Sequence, residues 1–216
     1  MFESTSPFSE YVDVTFVSIV GVSLLVLIGI LVFMVYVLVR YRRSKHPHPV
    51  NVKENVPLEI AWTVIPLALF MGMFYMGWRG YLMEIDIPEN AIPVKVTARM
   101  WAWSFEYPNG VQSDTLYVPV ESPVKLTLHS VDVNHSMFIP AFRIKKDVIP
   151  NRENVMWFRT TESADYDILC AEYCGLRHSY MYSKVVSMDS SGFERWYQKA
   201  SREQSKKYIS LTGPAR

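Results

Sequence analysis

The chain has 216 residues, half of them hydrophobic and a fifth charged, with 22 Lys and Arg against 21 Asp and Glu. This excludes a disordered low-complexity chain and a basic nucleic-acid-binding surface. Cys170 and Cys174 are its two cysteines, too few for a disulfide scaffold, an iron–sulfur cluster or a four-Cys zinc site. Any metal must recruit other ligands.

The first thirteen residues carry Glu3, Glu10 and Asp13 and no Lys or Arg. From Val14 to Val39 the chain is uncharged and mostly Val, Leu, Ile, Phe and Met. As a helix this stretch is ~39 Å long, more than the ~30 Å hydrocarbon core, so 14–39 is predicted to span a membrane with tilt. The link, 40–58, holds Arg40, Arg42, Arg43, Lys45 and Lys53, with His46 and His48 among prolines. The excess of basic residues places this link on the cytoplasmic side, and the acidic tail and everything after the second span on the opposite side. A second span is predicted over 59–83, built on the uncharged run Ile60 to Trp78. It tolerates Pro66 and carries Trp62, Tyr75, Trp78 and Tyr81 near its ends as interfacial anchors. The first span lacks a basic region in front and a cleavage site behind, so it is expected to persist as an anchor.

From Ile92 the pattern changes to short alternating runs, such as Val124-Lys125-Leu126-Thr127-Leu128, broken by Pro93, Pro108-Asn109-Gly110, Pro119 and Pro123. Alternation with frequent turn signals predicts a single Greek-key domain over 84–188, a β-sandwich or barrel. Over 189–216, Phe193, Trp196, Tyr197 and Ala200 recur at helical spacing, predicting a short amphipathic helix and then a loose polar tail from Ser201.

The chemistry concentrates in Cys170-Ala171-Glu172-Tyr173-Cys174-Gly175-Leu176-Arg177-His178-Ser179-Tyr180-Met181, with His135 earlier in Val133-Asn134-His135-Ser136. Thiolate and imidazole donors select copper or zinc over hard cations, and a weak thioether ligand points to copper. A mononuclear blue-copper site needs one Cys, whereas two thiols on one loop suit bridging of two copper ions. A saturated set of this kind leaves no position for substrate and suits electron relay. Other readings stand beside this one. Cys170 and Cys174 suit a disulfide in an oxidising compartment, His135 a structural histidine, and Met181 core packing.

Three stretches make the chain resemble subunit II of haem–copper cytochrome c oxidases: Trp101-Ala102-Trp103-Ser104-Phe105-Glu106-Tyr107, Ser130-Val131-Asp132-Val133-Asn134-His135-Ser136, and the C-x-E-x-C-G-x-x-H-x-x-M loop. The resemblance covers nearly the whole length. It implies a membrane-anchored all-β protein, a two-helix transmembrane hairpin followed by a cupredoxin-like Greek-key β-sandwich. It also implies a dinuclear copper centre, CuA, with Cys170 and Cys174 bridging, His135 and Met181 completing one copper, and His178 with the Glu172 carbonyl completing the other. The Glu172 carboxylate would face a Mg or Mn ion shared with subunit I. Trp101 would be where electrons arrive from cytochrome c, and Glu59 would lie near a proton-path mouth.

Trp101 also suits core packing, and Glu59 a helix cap. The implied partners are subunits I and III, membrane lipid, and cytochrome c or a cytochrome c domain of a partner complex. The implied place is a bacterial inner membrane, with the N-terminus and the sandwich on the periplasmic side. No Cys-x-x-Cys-His run occurs, so the donor is expected to be separate. The alternative class is a metal-free structural subunit of a quinol oxidase.

Overall fold

The computed structural model describes residues 5–48, 51 and 53–212. Residues 1–4, 49, 50, 52 and 213–216, and with them parts of the expected N-terminal tail, basic link and C-terminal tail, lie outside the described residues. The chain divides into a helical unit, Asp13–Tyr81, and a second unit comprising Leu82–Arg216 with the N-terminal residues up to Val12.

Helix α1 runs from Pro7 to Arg40 and α2 from Val56 to Ile85. Both are long and apolar enough to cross a membrane. Helix α1 begins well before the apolar run because its start is set by polar chemistry. Pro7 supplies a preset φ at the first helical position, and Ser6 and Ser9 cap each other. The Ser9 N–H donates to Ser6 Oγ and the Ser6 N–H to Ser9 Oγ, each at 3.2 Å. Arg40 closes the last turn, where a cation complements the helix C-terminus. Its Nη1 donates to His46 Nε2 at 2.8 Å. Helix α2 is capped by Asn55, whose Oδ1 accepts from the Leu58 N–H at 3.2 Å. The capping suggested for Glu59 therefore falls to Asn55, and Glu59 sits exposed in the first turn.

The second unit is a sandwich of ten strands: β1 Ile92–Arg99, β2 Ala102–Glu106, β3 Gln112–Ser113, β4 Leu116–Pro119, β5 Val124–Ser130, β6 His135–Ile139, β7 Ile144–Val148, β8 Asn154–Phe158, β9 Asp165–Cys170 and β10 Tyr182–Met188. One sheet has the order β3-β2-β1-β5-β8 and the other β4-β10-β9-β6-β7. Neighbours pair antiparallel except β1 with β5 and β4 with β10, which are parallel. Alternation fills the space between the sheets. Val94, Val96 and Ala98 of β1, Leu126 and Leu128 of β5, and Tyr166, Ile168 and Cys170 of β9 point inward, with Lys95, Thr97, Thr127, Asp167 and the exposed Leu169 between them facing out.

The start of α1 is fastened to this sandwich. Thr5 Oγ1 donates to the Ala141 carbonyl at 2.6 Å, and the Phe8 ring meets Trp157 edge-on at 5.0 Å. The end of α2 is fastened too, since Trp157 Nε1 donates to the Met83 carbonyl at 3.1 Å and Lys146 pairs with Glu84 at 2.7 Å.

Helix α3, Ser190–Thr212, corrects the sequence expectation of a loose tail from Ser201. Its first half packs by aromatic rings, with Trp196 stacked on Tyr117 at 4.3 Å and edge-on to Tyr107 at 5.1 Å. Its second half is held by polar bonds that hydropathy does not register. Asn109 Nδ2 donates to Ser201 Oγ at 3.0 Å, the Gln112 N–H donates to Gln204 Oε1 at 3.0 Å, and Gln204 Nε2 donates to the Gly110 carbonyl.

Candidate metal centre

His135 opens β6, Cys170 closes β9, and the remaining donors lie on the loop from Ala171 to Met181 that returns the chain into β10. Strand pairing brings these segments together. Met137 of β6 stands opposite Cys170, the Ala171 N–H donates to the Ser136 carbonyl at 2.9 Å, and the Cys170 N–H donates to the Met181 carbonyl at 3.2 Å. Because His135 and Met137 alternate with Ser136, His135 enters the same interior as Cys170.

The loop folds back on itself through Gly175 and a 3-10 turn over His178–Tyr180, where the His178 N–H donates to the Gly175 carbonyl at 3.1 Å. Gly175 has φ +114°, which L side chains rarely adopt, and an added Cβ would sit 3.4 Å from the Trp101 ring.

The two thiols are free and buried, with Sγ atoms 3.8 Å apart, well beyond the ~2.05 Å of a disulfide. Around them, His135 Nδ1 is 3.9 Å from Cys170 Sγ, and His178 Nδ1 is 3.5 Å from Cys174 Sγ. Met181 Sδ is 3.7 Å from Cys174 Sγ, and the Glu172 carbonyl accepts from Cys170 Sγ at 3.3 Å. The ligating atoms of His135, Cys170 and Cys174 all lie within 4.8 Å of one another. His135 and Met181 are fully buried and His178 half-buried, so the sulfur pair is shielded from water. Desolvation first, then the neighbouring Cys170, push the Cys174 thiol up to about 11. A buried pair of thiols is more easily deprotonated when a cation takes the place of the protons. Soft, converging donors of this kind fit copper.

Asp132, which the sequence presents only as a member of the run leading to His135, holds that histidine in place. His135 Nε2 is 2.8 Å from Asp132 Oδ1. A proton on Nε2, donated to the carboxylate, leaves the Nδ1 lone pair directed to the sulfurs. The same oxygen accepts from the Val133 N–H, and Oδ2 accepts from the Met100 N–H, both at 2.6 Å. Burial works to raise the Asp132 carboxyl, but the bonds from Met100, His135 and Val133 outweigh it and hold the group below the usual carboxylate range. The visible signal was the spacing of Asp132 and His135, with the carboxylate one strand-start turn before the imidazole.

Trp101 is brought to the centre, with Nε1 donating to the Cys174 carbonyl at 3.1 Å and its ring against Gly175. The Glu172 side chain points away to the surface. Its Oε1 accepts from Lys145 Nζ at 3.3 Å, and Lys145 also bonds Asp147 at 2.9 Å. Glu59, in the first turn of α2, is not among the residues gathered here.

Two family models match the chain. The one described as cytochrome c oxidase subunit II, transmembrane domain, matches residues 1–75, and the one described as its periplasmic domain matches residues 111–188. Cytochrome c oxidase subunit 2 of Alkalihalophilus pseudofirmus is 32% identical over 197 residues, covering 86% of this chain and 58% of that relative. The subunit 2 of Cereibacter sphaeroides is 26% identical, covering 83% of this chain and 74% of the relative. The chain therefore spans little more than half the length of the first of these relatives. The crystal structure of the periplasmic domain of subunit II of cytochrome oxidase (CoxB) of Bradyrhizobium japonicum covers 54% of this chain and 98% of its own, with a TM-score of 0.52 and 25% identity. That likeness identifies the sandwich as cupredoxin-like, and the transmembrane-domain match with two apolar helices makes the protein a two-pass membrane-anchored one. From its anchor to its donor loop, the chain belongs to the cytochrome c oxidase subunit II family.

Proposed function

We propose that this chain is the subunit of a respiratory haem–copper oxidase at which electrons arrive, taking them singly from a cytochrome c and passing them to haem in subunit I. Oxygen reduction and proton pumping would follow in that partner, with subunit III completing the assembly. The carrying observation is the convergence of two unbonded thiols 3.8 Å apart with His135, His178, Met181 and the Glu172 carbonyl.

Cys170, Cys174, His135, His178, Met181 and the Glu172 carbonyl would hold two copper ions. When bound, such a pair would supply a one-electron store. The chain's own residues do the rest. Asp132 orients His135, burial of the donors excludes water, and the β6–β9 pairing sets His135 beside Cys170. Trp101 offers an indole in direct hydrogen-bond contact with the Cys174 peptide, which suits it to receive electrons.

The Glu172 carboxylate is a hard donor suited to a Mg or Mn ion shared with subunit I, and Lys145 would give way to that cation. Glu59 would stand near the mouth of a proton path on the cytoplasmic side. For topology, Thr5 and Phe8 contact the sandwich, which supports an N-terminus on the same side as the donor loop. With the basic link opposite, that side is the periplasm of a bacterial inner membrane.

The test is the copper content and electron paramagnetic resonance spectrum of the full chain in detergent. Two coppers per chain and the hyperfine pattern of one electron shared by two nuclei are expected. The pattern of a single nucleus, or a chain that takes up no copper, overturns the assignment and favours the metal-free quinol-oxidase class.

A further inference from the structure

The basic link leaves α1 as a folded turn. The Arg42 carbonyl accepts from both the Lys45 N–H at 2.8 Å and the His46 N–H at 3.1 Å. This brings His46 back over the end of the helix, where its ring lies 5.1 Å from that of Tyr41 and its Nε2 accepts from Arg40 Nη1 at 2.8 Å. The Arg40 guanidinium also stands 5.6 Å from the centre of the Tyr41 ring. Tyr41 and His46 hold Arg40 through one ring face and one Nη1 bond, and leave its other N–H groups for an acceptor.

In the same turn Arg42, Arg43 and Lys45 are exposed, and their side chains have no partner among the described residues. No Asp or Glu occurs over 40–53. The bias of basic residues toward one side of a membrane explains why cations are here, but it acts on an extended link as well as on a folded one. Arg40, Arg42, Arg43 and Lys45 fall within six consecutive residues and repel one another. A turn that gathers them is favoured further when an anion lies among them.

The surroundings decide which anion. Leu38 and Val39, the last apolar residues of α1, are 65% and 55% exposed, and Tyr41 beside them is 58% exposed. An occupant with a phosphate at the turn and hydrocarbon along the helix satisfies both surfaces, whereas a free anion satisfies one. A zwitterionic headgroup would set its own cation against the four already there. We propose that the 40–46 turn binds an anionic phospholipid, its phosphate held by Arg40, Arg42, Arg43 and Lys45 and its acyl chains lying along the end of α1. The site uses no residue of the donor loop, and it stands or falls independently of the electron-transfer reading.

The experiment titrates the full chain in a neutral detergent with fluorescent phosphatidylglycerol and phosphatidylcholine, using glycerol phosphate and inorganic phosphate as competitors. Phosphatidylglycerol is expected to bind at least about tenfold more tightly, since each cation near a headgroup is worth roughly a fivefold factor. Arg42→Gln with Arg43→Gln and Lys45→Gln should abolish that preference. Arg195→Gln with Lys199→Gln and Arg202→Gln removes three exposed cations from α3 instead, and should change the Kd less than about twofold. Two variants keep the charge and so the direction of insertion. Arg42→Lys with Arg43→Lys loses the bidentate fork, and should weaken phosphatidylglycerol about threefold or more. His46→Ala, at about pH 8 where an ordinary imidazole is neutral, frees Arg40 and should weaken it by about twofold or more. Equal binding of the two lipids, an equal loss in the α3 variant, or an unchanged Kd in both charge-keeping variants overturns the proposal. Displacement of the lipid by an equal concentration of glycerol phosphate or inorganic phosphate marks a free-anion site and overturns the lipid assignment.

Discussion

In α1, Leu25, Ile28 and Val32 leave 72%, 58% and 63% of their surface exposed, whereas in β5 Val124, Leu126 and Leu128 expose 1% or less. The residue types are the same and their placement is opposite, because each unit meets a different solvent. A helix satisfies its backbone internally and can turn every apolar side chain outward when the surroundings are hydrocarbon. A strand needs neighbours for its hydrogen bonds, so the sandwich must form two sheets and bury one face of each in water. Outward apolar residues over the helices therefore record the lipid.

Substitutions can break this contrast. Leu126→Ala in the sandwich interior removes packed methyl groups that the sheets cannot easily collapse around, and should lower stability by about 2–5 kcal/mol, read as a shifted denaturation midpoint. Leu25→Arg alters a residue that is already exposed, and in a water-facing helix would be nearly silent. Here it should cost about 3 kcal/mol of membrane insertion. The check is the fraction of chain that resists carbonate extraction, and unchanged retention would show that α1 does not lie in lipid.

Two polar changes at the donor end sharpen the comparison further. Asp132→Ala frees the His135 ring while leaving all the proposed ligands in place. Copper affinity should fall roughly 10–100-fold, measured by competition with a chelator of known strength. Asp147→Asn should have the smallest effect. The bond from Lys145, then that from Ser136, holds the Asp147 carboxyl below its ordinary range. A depressed carboxyl stabilises the folded state above its unfolded pKa and loses that contribution as pH falls through the native one. The pair is half-exposed and screened, so less than about 1 kcal/mol is involved. The variant should be less stable than the parent by up to that amount at pH 7 and converge with it below about pH 4, so its acid limb is flatter. An unaltered acid limb would show the pair to be energetically silent.

The parts of this protein that were legible from its residues share one property, that their signal is local. An uncharged run such as Val14 to Val39 implies lipid by its own length, alternation such as Val124 to Leu128 implies a half-buried strand, and Cys170, Cys174, His178 and Met181 on one loop imply a soft-metal site. What escaped was set by partners far away in sequence or by polar bonds. The parallel pairing of β1 with β5 leaves no periodic mark. The stretch 201–206 of α3 is polar throughout, and its Ser201 and Gln204 bond Asn109, Gly110 and Gln112, roughly ninety positions away.

At the candidate site the division runs through single residues. The sequence by itself determined which donors are present and that four of them share a loop, since chemical identity and short spacing need no fold to be read. Only the tertiary structure decided that His135, 35 positions before Cys170, meets that loop, and that Asp132 holds its ring while reaching the peptide beside Trp101. Donor type is a covalent property of the chain, whereas convergence depends on how β6 and β9 pair, and that pairing is settled by burial summed over the whole sandwich.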